Sequence, residues 1–168
     1  CYDTKKMTNF ENLEKKIEQV LRNEHYKELC SDIKEKDYVY VIGNGGLHFV
    51  AGHMACDMTR LIPRKTFHSF ESVGFITSNA NDYGYDKLFQ RWLETIIQEQ
   101  DYKNSLIIGL SCSGKSVNII NALNWGQSNG ITSWLINGTE SEESQGWGVL
   151  DLKCEFYHTV EVICMMLF

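Results

Sequence analysis

The chain lacks the features that would direct it to a membrane or a nucleic acid. No apolar run reaches the roughly 18 residues of a membrane-spanning helix. Acidic residues outnumber basic ones, 22 against 16, for a net charge of −6. No basic stripe offsets this balance, which excludes direct nucleic-acid binding as a function class. Pro63 is the one proline in 168 residues, and there is no low-complexity tract. With no linker in view, the length predicts a single domain over 1–168. No Cys-x-x-Cys pair occurs among the six scattered cysteines. Free thiols in a reducing cytoplasm are expected rather than three disulfides. No signal peptide is visible. The apolar run Val162 to Phe168 predicts that the natural chain continues further.

What is present centres on residues 105–121. Leu106, Ile107, Ile108 and Leu110 make an apolar run suited to a buried parallel strand. Small residues, hydroxyls and one cation then crowd into Ser111 to Ser116. Val117, Ile119, Ile120, Ala122 and Leu123 follow at helical spacing, so a helix begins near Ser116. A strand, a hydroxyl-rich turn and a helix N-terminus make an anion site, because free N–H groups and the helix dipole both favour negative charge. Two readings of this stretch compete. Gly109 to Ser116 spells Gly-x-x-x-x-Gly-Lys-Ser, the nucleotide P-loop pattern. Alternatively, the hydroxyls of Ser111, Ser113 and Ser116 hold the phosphate of a sugar.

Elsewhere, strand-like and helix-like segments alternate. Thr8-Asn9-Phe10-Glu11 reads as a capping box that opens one long amphipathic helix over about residues 8–30, carrying Phe10, Leu13, Ile17, Val20 and Leu21. This helix is expected on the outside of a sheet or against a partner subunit. The α/β core is expected from about 37 to 168. Tyr38 to Ile42 reads as a strand, and Gly43-Asn44-Gly45-Gly46 as a tight turn into a helix. The dinucleotide fingerprint fails there because its last glycine position falls on His48. The glycines let backbone approach a ligand, or simply make a turn. His53 and Asp57 stand four apart on that helix and share a face. Such a pair can bind a divalent metal, exchange protons with a substrate, or be an ordinary surface pair. A second strand is expected within Thr66 to Ile76, a surface turn over Asn79 to Asp86, and an amphipathic helix from Leu88 to Ile97. Further strands are expected at Thr132 to Ile136 and Val149 to Cys154, a mobile acidic loop at Glu140 to Gly148, and a last helix from Tyr157. The alternation predicts an α/β three-layer sandwich, a five-stranded parallel sheet with helices on both faces plus the N-terminal helix. Ligands of such sheets bind beyond the C-terminal strand ends, where both small-residue turns belong.

Three blocks resemble the sugar isomerase (SIS) domain, specifically its phosphoheptose isomerase branch. Ile42-Gly43-Asn44-Gly45-Gly46 through His53 and Asp57 is similar to that branch's Gly-Asn-Gly-Gly-Ser turn and its helix with His-x-x-x-Glu. Asn81-Asp82-Tyr83-Gly84-Tyr85-Asp86, with Phe89 and Arg91, resembles its most distinctive block. Gly109 to Ser116 resembles Gly-Ile-Ser-Thr-Ser-Gly-Asn-Ser. The P-loop reading leaves the first two blocks unexplained, so no nucleotide cofactor is expected.

The resemblance implies a flavodoxin-like fold and a cytoplasmic homotetramer with sites formed between subunits. It implies isomerisation of sedoheptulose 7-phosphate or a related heptose phosphate through an enediol, in lipopolysaccharide or capsule synthesis. His53 and Asp57 take the catalytic positions. Asn44, Gly45, Asp82, Ser111, Cys112, Ser113, Ser116 and Arg60 take substrate-binding positions. Zinc is implied at His53, Asp57 and Glu161, an incomplete ligand set. The departures are Leu47 for serine, Cys112 for threonine, Asp57 for glutamate, and Cys164 at a histidine position. Leu47, Asp57 and Cys164 support an alternative: a non-catalytic SIS protein that binds a phosphosugar or a partner protein and regulates, as the initiator-associating members do; Leu47 and Cys112 also fit an isomerase with a changed substrate.

Overall fold

Strands apolar on both faces bury only between two helical layers. The computed structural model describes residues 10–63, 65–139 and 146–168. Strands β1 (Tyr38–Gly43), β2 (Thr66–Ser69), β3 (Ser105–Ser111), β4 (Thr132–Asn137) and β5 (Gly148–Asp151) form one sheet. Every pairing is parallel, in the order β2-β1-β3-β4-β5. Successive residues feed opposite layers. Leu106, Ile108 and Leu110 face one core, while Ile107 faces the other. Each such side chain, buried completely, contributes roughly 1.5–3 kcal/mol.

The first layer holds α1 (Leu13–Leu21), α2 (Glu24–Glu35), α3 (Gly46–Leu61) and α7 (Tyr157–Leu167). The second is built around α5 (Leu88–Ile96) and α6 (Val117–Ser128), with α4 (Val73–Tyr83) packed against α5. Short 3-10 turns cover Tyr85–Lys87 and Glu99–Asn104. The expected three-layer architecture is therefore present.

Two local expectations change. The single N-terminal helix over 8–30 is two helices, because Asn23 adopts extended backbone and its side chain caps α2 by accepting from the His25 N–H at 2.9 Å. Thr8 and Asn9 of the expected capping box lie outside the described residues, as do residues 140–145 of the expected acidic loop. The block from Asn79 is not a surface turn. It is helical through Tyr83 and stops at Gly84, whose φ of +87° suits a residue without a Cβ.

The N-terminal helices are tied to the core rather than loosely appended. Trp134 Nε1 on β4 donates to Asp32 Oδ2 on α2 at 2.6 Å, and the Tyr26 hydroxyl donates to the Leu167 carbonyl on α7 at 2.7 Å. On the opposite edge, the His68 ring of β2 stacks on Tyr40 of β1 with centroids 5.1 Å apart. Burial lowers the His68 pKa below its ordinary 6.5. A base with a depressed folded-state pKa binds fewer protons folded than unfolded, so stability falls as pH drops through the unfolded value. Urea midpoints should therefore decline below about pH 6.5, and His68→Phe should flatten that decline; an unchanged slope in the variant would contradict this role.

Candidate functional site

The order β2-β1-β3 decides where a ligand can sit. From β1 the chain winds through α3 to β2 on one side; from β3 it winds through α6 to β4 on the other. The turns leaving β1 and β3 therefore lie side by side with no crossover above them, the crevice at which open α/β sheets bind ligands. A cleft of about 360 Å³ occupies this place, lined by residues of both turns and of α7.

Each turn is shaped by close approach. A Cβ at Gly43 would meet the Leu47 carbonyl oxygen at 2.7 Å, so only glycine lets α3 start so close to β1. Gly45 caps α3 with φ +57°. In the second turn Gly114 has φ +67°, and a Cβ there would lie 2.9 Å from Asn137 Nδ2. The hydroxyls are already organised. Ser111 Oγ lies 3.1 Å from Ser116 Oγ and accepts from the Gly114 N–H at 3.1 Å. Ser113 Oγ accepts from the Lys115 N–H at 3.2 Å. Helix α6 begins at Val117, directly after these groups. Lys115 is exposed and is not among the residues lining the cleft, unlike a P-loop lysine directed at phosphate.

The two turns are joined by amides. Asn44 Nδ2 donates to Asn118 Oδ1 at 2.9 Å, and Asn118 Nδ2 donates to Asn44 Oδ1 at 2.8 Å. The Tyr85 hydroxyl donates to the same Asn44 oxygen at 3.0 Å. The block beginning at Asn81 thus reaches the site through Tyr85. Asp82 is exposed and accepts from Asn81 Nδ2 at 2.9 Å. Arg91 sits over the Tyr83 ring at 4.6 Å and fastens this block to α5.

Helix α7 closes the cleft with Tyr157 and Glu161. The Glu161 carboxylate lies directly over Gly46, where a Cβ would collide with it. Among the described residues it is the one carboxylate lining the cleft. Burial first, then Glu161 and Cys154, push the Cys112 thiol up to about 11; burial raises Cys164 further. Both thiols are therefore protonated at neutral pH.

Ser111, Cys112, Ser113, Ser116, Asn44 and Glu161 line this cleft together, while Gly45 lines the adjoining one with His48, Phe49 and Tyr85. His53, Asp57 and Arg60 line neither. They form their own chain on α3: His53 Nε2 is 3.3 Å from Asp57 Oδ2, and Arg60 Nη1 is 3.6 Å from Asp57 Oδ1. Among the described residues no three His, Cys, Asp or Glu side chains converge to hold a metal. The expected zinc set of His53, Asp57 and Glu161 is thus not assembled among the described residues of one chain, since Glu161 meets the start of α3 while His53 and Asp57 lie about two and three turns further along. A larger cleft of about 460 Å³ lies between α2 and β5, lined by His25, Glu28, Trp134 and Trp147, away from the crevice at the strand ends. Sequence reading gave Asn118, Tyr157 and Asn137 no role at the site and met Tyr85 only within a family block, because what brings them here is the approach of residues distant in the chain.

No family model matches the chain. Among curated relatives, it is 33% identical to the phosphoheptose isomerase of Leptospira biflexa over 71% of this chain and 63% of that protein. It is 36% identical to that of Sulfurimonas denitrificans over 79% of this chain and 66% of that protein. Solved phosphoheptose isomerases share the fold. That of Neisseria gonorrhoeae (GmhA) has a TM-score of 0.79 at 18% identity, covering 93% of this chain and 86% of that one. That of Francisella tularensis has a TM-score of 0.76 at 16% identity, covering 94% and 89%.

The chain belongs to the phosphoheptose isomerase branch of the SIS domain family.

It spans about half to two thirds of the length of the curated relatives it matches. Within this SIS domain the serine turn generates two predictions. Gly114→Ala forces a left-handed alanine and a methyl against Asn137, and should cost about 1–3 kcal/mol in thermal or urea unfolding; an unchanged midpoint would contradict the packing described. Iodoacetamide at pH 7.5 should label exposed Cys56 well before Cys112, whose thiol stays protonated; mass spectrometry showing Cys112 modified first would overturn the assigned environment.

Proposed function

We propose that the protein is an aldose–ketose isomerase of a phosphorylated sugar, sedoheptulose 7-phosphate or a related heptose phosphate. The observation that carries this reading is the Ser111–Ser116 turn at the N-terminus of α6, in the crevice between β1 and β3. Three hydroxyls and unpaired helix N–H groups suit a dianionic phosphate. The names of the relatives support the heptose class.

In this reading Ser111, Ser113 and Ser116 hold the phosphate beside Cys112, while Asn44 and Gly45 meet the sugar hydroxyls. The reaction removes a proton from the carbon beside the carbonyl, passes through an enediol, and returns a proton at the neighbouring carbon. His53 and Asp57 are the proposed proton carriers. His53 is exposed and Asp57 half-buried, and both lie off their own chain's cleft, so they would serve the cleft of an adjoining subunit in a homotetramer, with Arg60 and Asp82 at the same boundary. Apolar side chains left open to solvent, Phe49 on α3 and Val73 on α4, support association. His53 and Asp57 alone are fewer ligands than zinc ordinarily takes. A cytoplasmic place in surface-polysaccharide precursor synthesis follows from the same reading.

A regulatory phosphosugar-binding reading is favoured by one feature: buried Leu47 lines the cleft where the family pattern has a hydroxyl. NMR in D2O separates the two. With sedoheptulose 7-phosphate, deuterium should enter at the carbon beside the carbonyl, and Asp57→Asn should slow it roughly 10²- to 10⁴-fold. Saturable binding with no exchange for any sugar phosphate would establish the regulatory reading instead.

A further inference from the structure

Asn137 ends β4 directly beneath the serine turn. It is completely buried, and among the described residues neither its Nδ2 nor its Oδ1 has a hydrogen-bond partner. Its backbone is fully engaged: it pairs with Ser111 of β3 and Asp151 of β5, and its carbonyl accepts from the Leu152 N–H at 2.8 Å. Only the side chain is left over. A buried carboxamide with no partner is destabilising, and such groups in folded proteins mark a missing ion, water or ligand-dependent contact.

The direction of the side chain shows which contact is missing. A Cβ on Gly114 would sit 2.9 Å from Asn137 Nδ2 and 3.5 Å from its Cγ, so the carboxamide is pressed against the turn from below. The turn above it is held by bonds that a phosphate would compete for. Ser111 and Ser116 bond each other, and Ser111 Oγ also accepts from the Gly114 N–H. A bound dianion draws those hydroxyls and N–H groups to itself and frees the Ser113–Gly114 backbone to resettle. One further contact limits that movement: Thr139 Oγ1, two residues past Asn137, donates to the Ser113 carbonyl at 3.2 Å. The end of β4 therefore already grips this peptide from one side.

We propose that Asn137 is a positioning residue for phosphate capture: its carboxamide, unpaired in the ligand-free protein, pairs with the resettled Ser113–Gly114 backbone when phosphate occupies the turn. This deepens the phosphosugar reading and rests on it. Asn137 does not touch the substrate. It stores an unmet pairing in the free state and releases it on binding, so the free turn is held open at a cost in stability and the ligated turn is locked.

The signature is a pair of effects with opposite signs. Asn137→Leu replaces the orphan amide by an apolar side chain of the same branching, and Asn137→Ala removes it without any risk of overpacking. Both should keep or raise the ligand-free melting temperature, by roughly 2–4 °C where the cavity closes. Both should weaken binding of sedoheptulose 7-phosphate and of inorganic phosphate roughly tenfold or more by calorimetry. In turnover, KM should rise with kcat held. Unchanged affinity in both variants would overturn the proposal. So would parallel losses of melting temperature and affinity in both, which a purely structural asparagine would give. If the wild-type protein binds neither probe, the phosphosugar reading itself fails, an outcome distinct from wild-type binding that the variants leave intact.

Discussion

The site depends on the reversal of winding between β1 and β3. A parallel sheet must send every connection over one face or the other, and only where the direction changes do two strand ends open into a common crevice. Here the reversal brings together a glycine turn, which lets backbone come close, and a serine turn, which supplies hydroxyls at a helix N-terminus. The reciprocal amide pair of Asn44 and Asn118 then fixes the two turns relative to each other, across 74 residues of sequence. Neither turn alone would be a site.

The rest of the fold serves to hold that edge. Strands β1, β3 and β4 are buried on both sides, so their ends move little, and α7 lays Glu161 and Tyr157 across the opening. The chemistry that the cleft holds by itself is uneven. The hydroxyls proposed to hold phosphate lie together in the cleft, whereas His53 and Asp57, proposed for proton transfer, line neither it nor the adjoining one. The proposed assembly, in which one subunit's α3 completes a neighbour's cleft, would reconcile the two facts.

Sequence reading reached the elements whose signals are local. The run Leu106 to Leu110, the crowded small residues after it and the helical spacing from Val117 are adjacent in the chain, and each imposes its structure independently of the rest. The architecture followed from the alternation of such units. The failures were also local in origin but non-local in cause. Asn23 broke the first helix because an extended residue with a capping side chain outweighed a continuous apolar stripe. The polar block at Asn79 looked like a turn because its helix buries no residue completely and so carries a weak pattern. Tyr85 was visible only as part of a family block, since what ties it to the site is a hydroxyl 3.0 Å from Asn44, and Asn137 could not be found, since what marks it is a missing partner among the described residues. The implied zinc ligands do not come together within one chain for a geometric reason: the helical rise separates His53 and Asp57 from the Gly46 end of α3 where Glu161 rests.

The most direct measurement is a crystal structure of the protein grown with sedoheptulose 7-phosphate. The account predicts the phosphorus within the Ser111–Ser116 turn, contacted by the hydroxyls of Ser111, Ser113 and Ser116 and by N–H groups at the start of α6, with the sugar running toward Asn44. A phosphate bound instead in the cleft between α2 and β5, or an empty serine turn at saturating ligand, would contradict it.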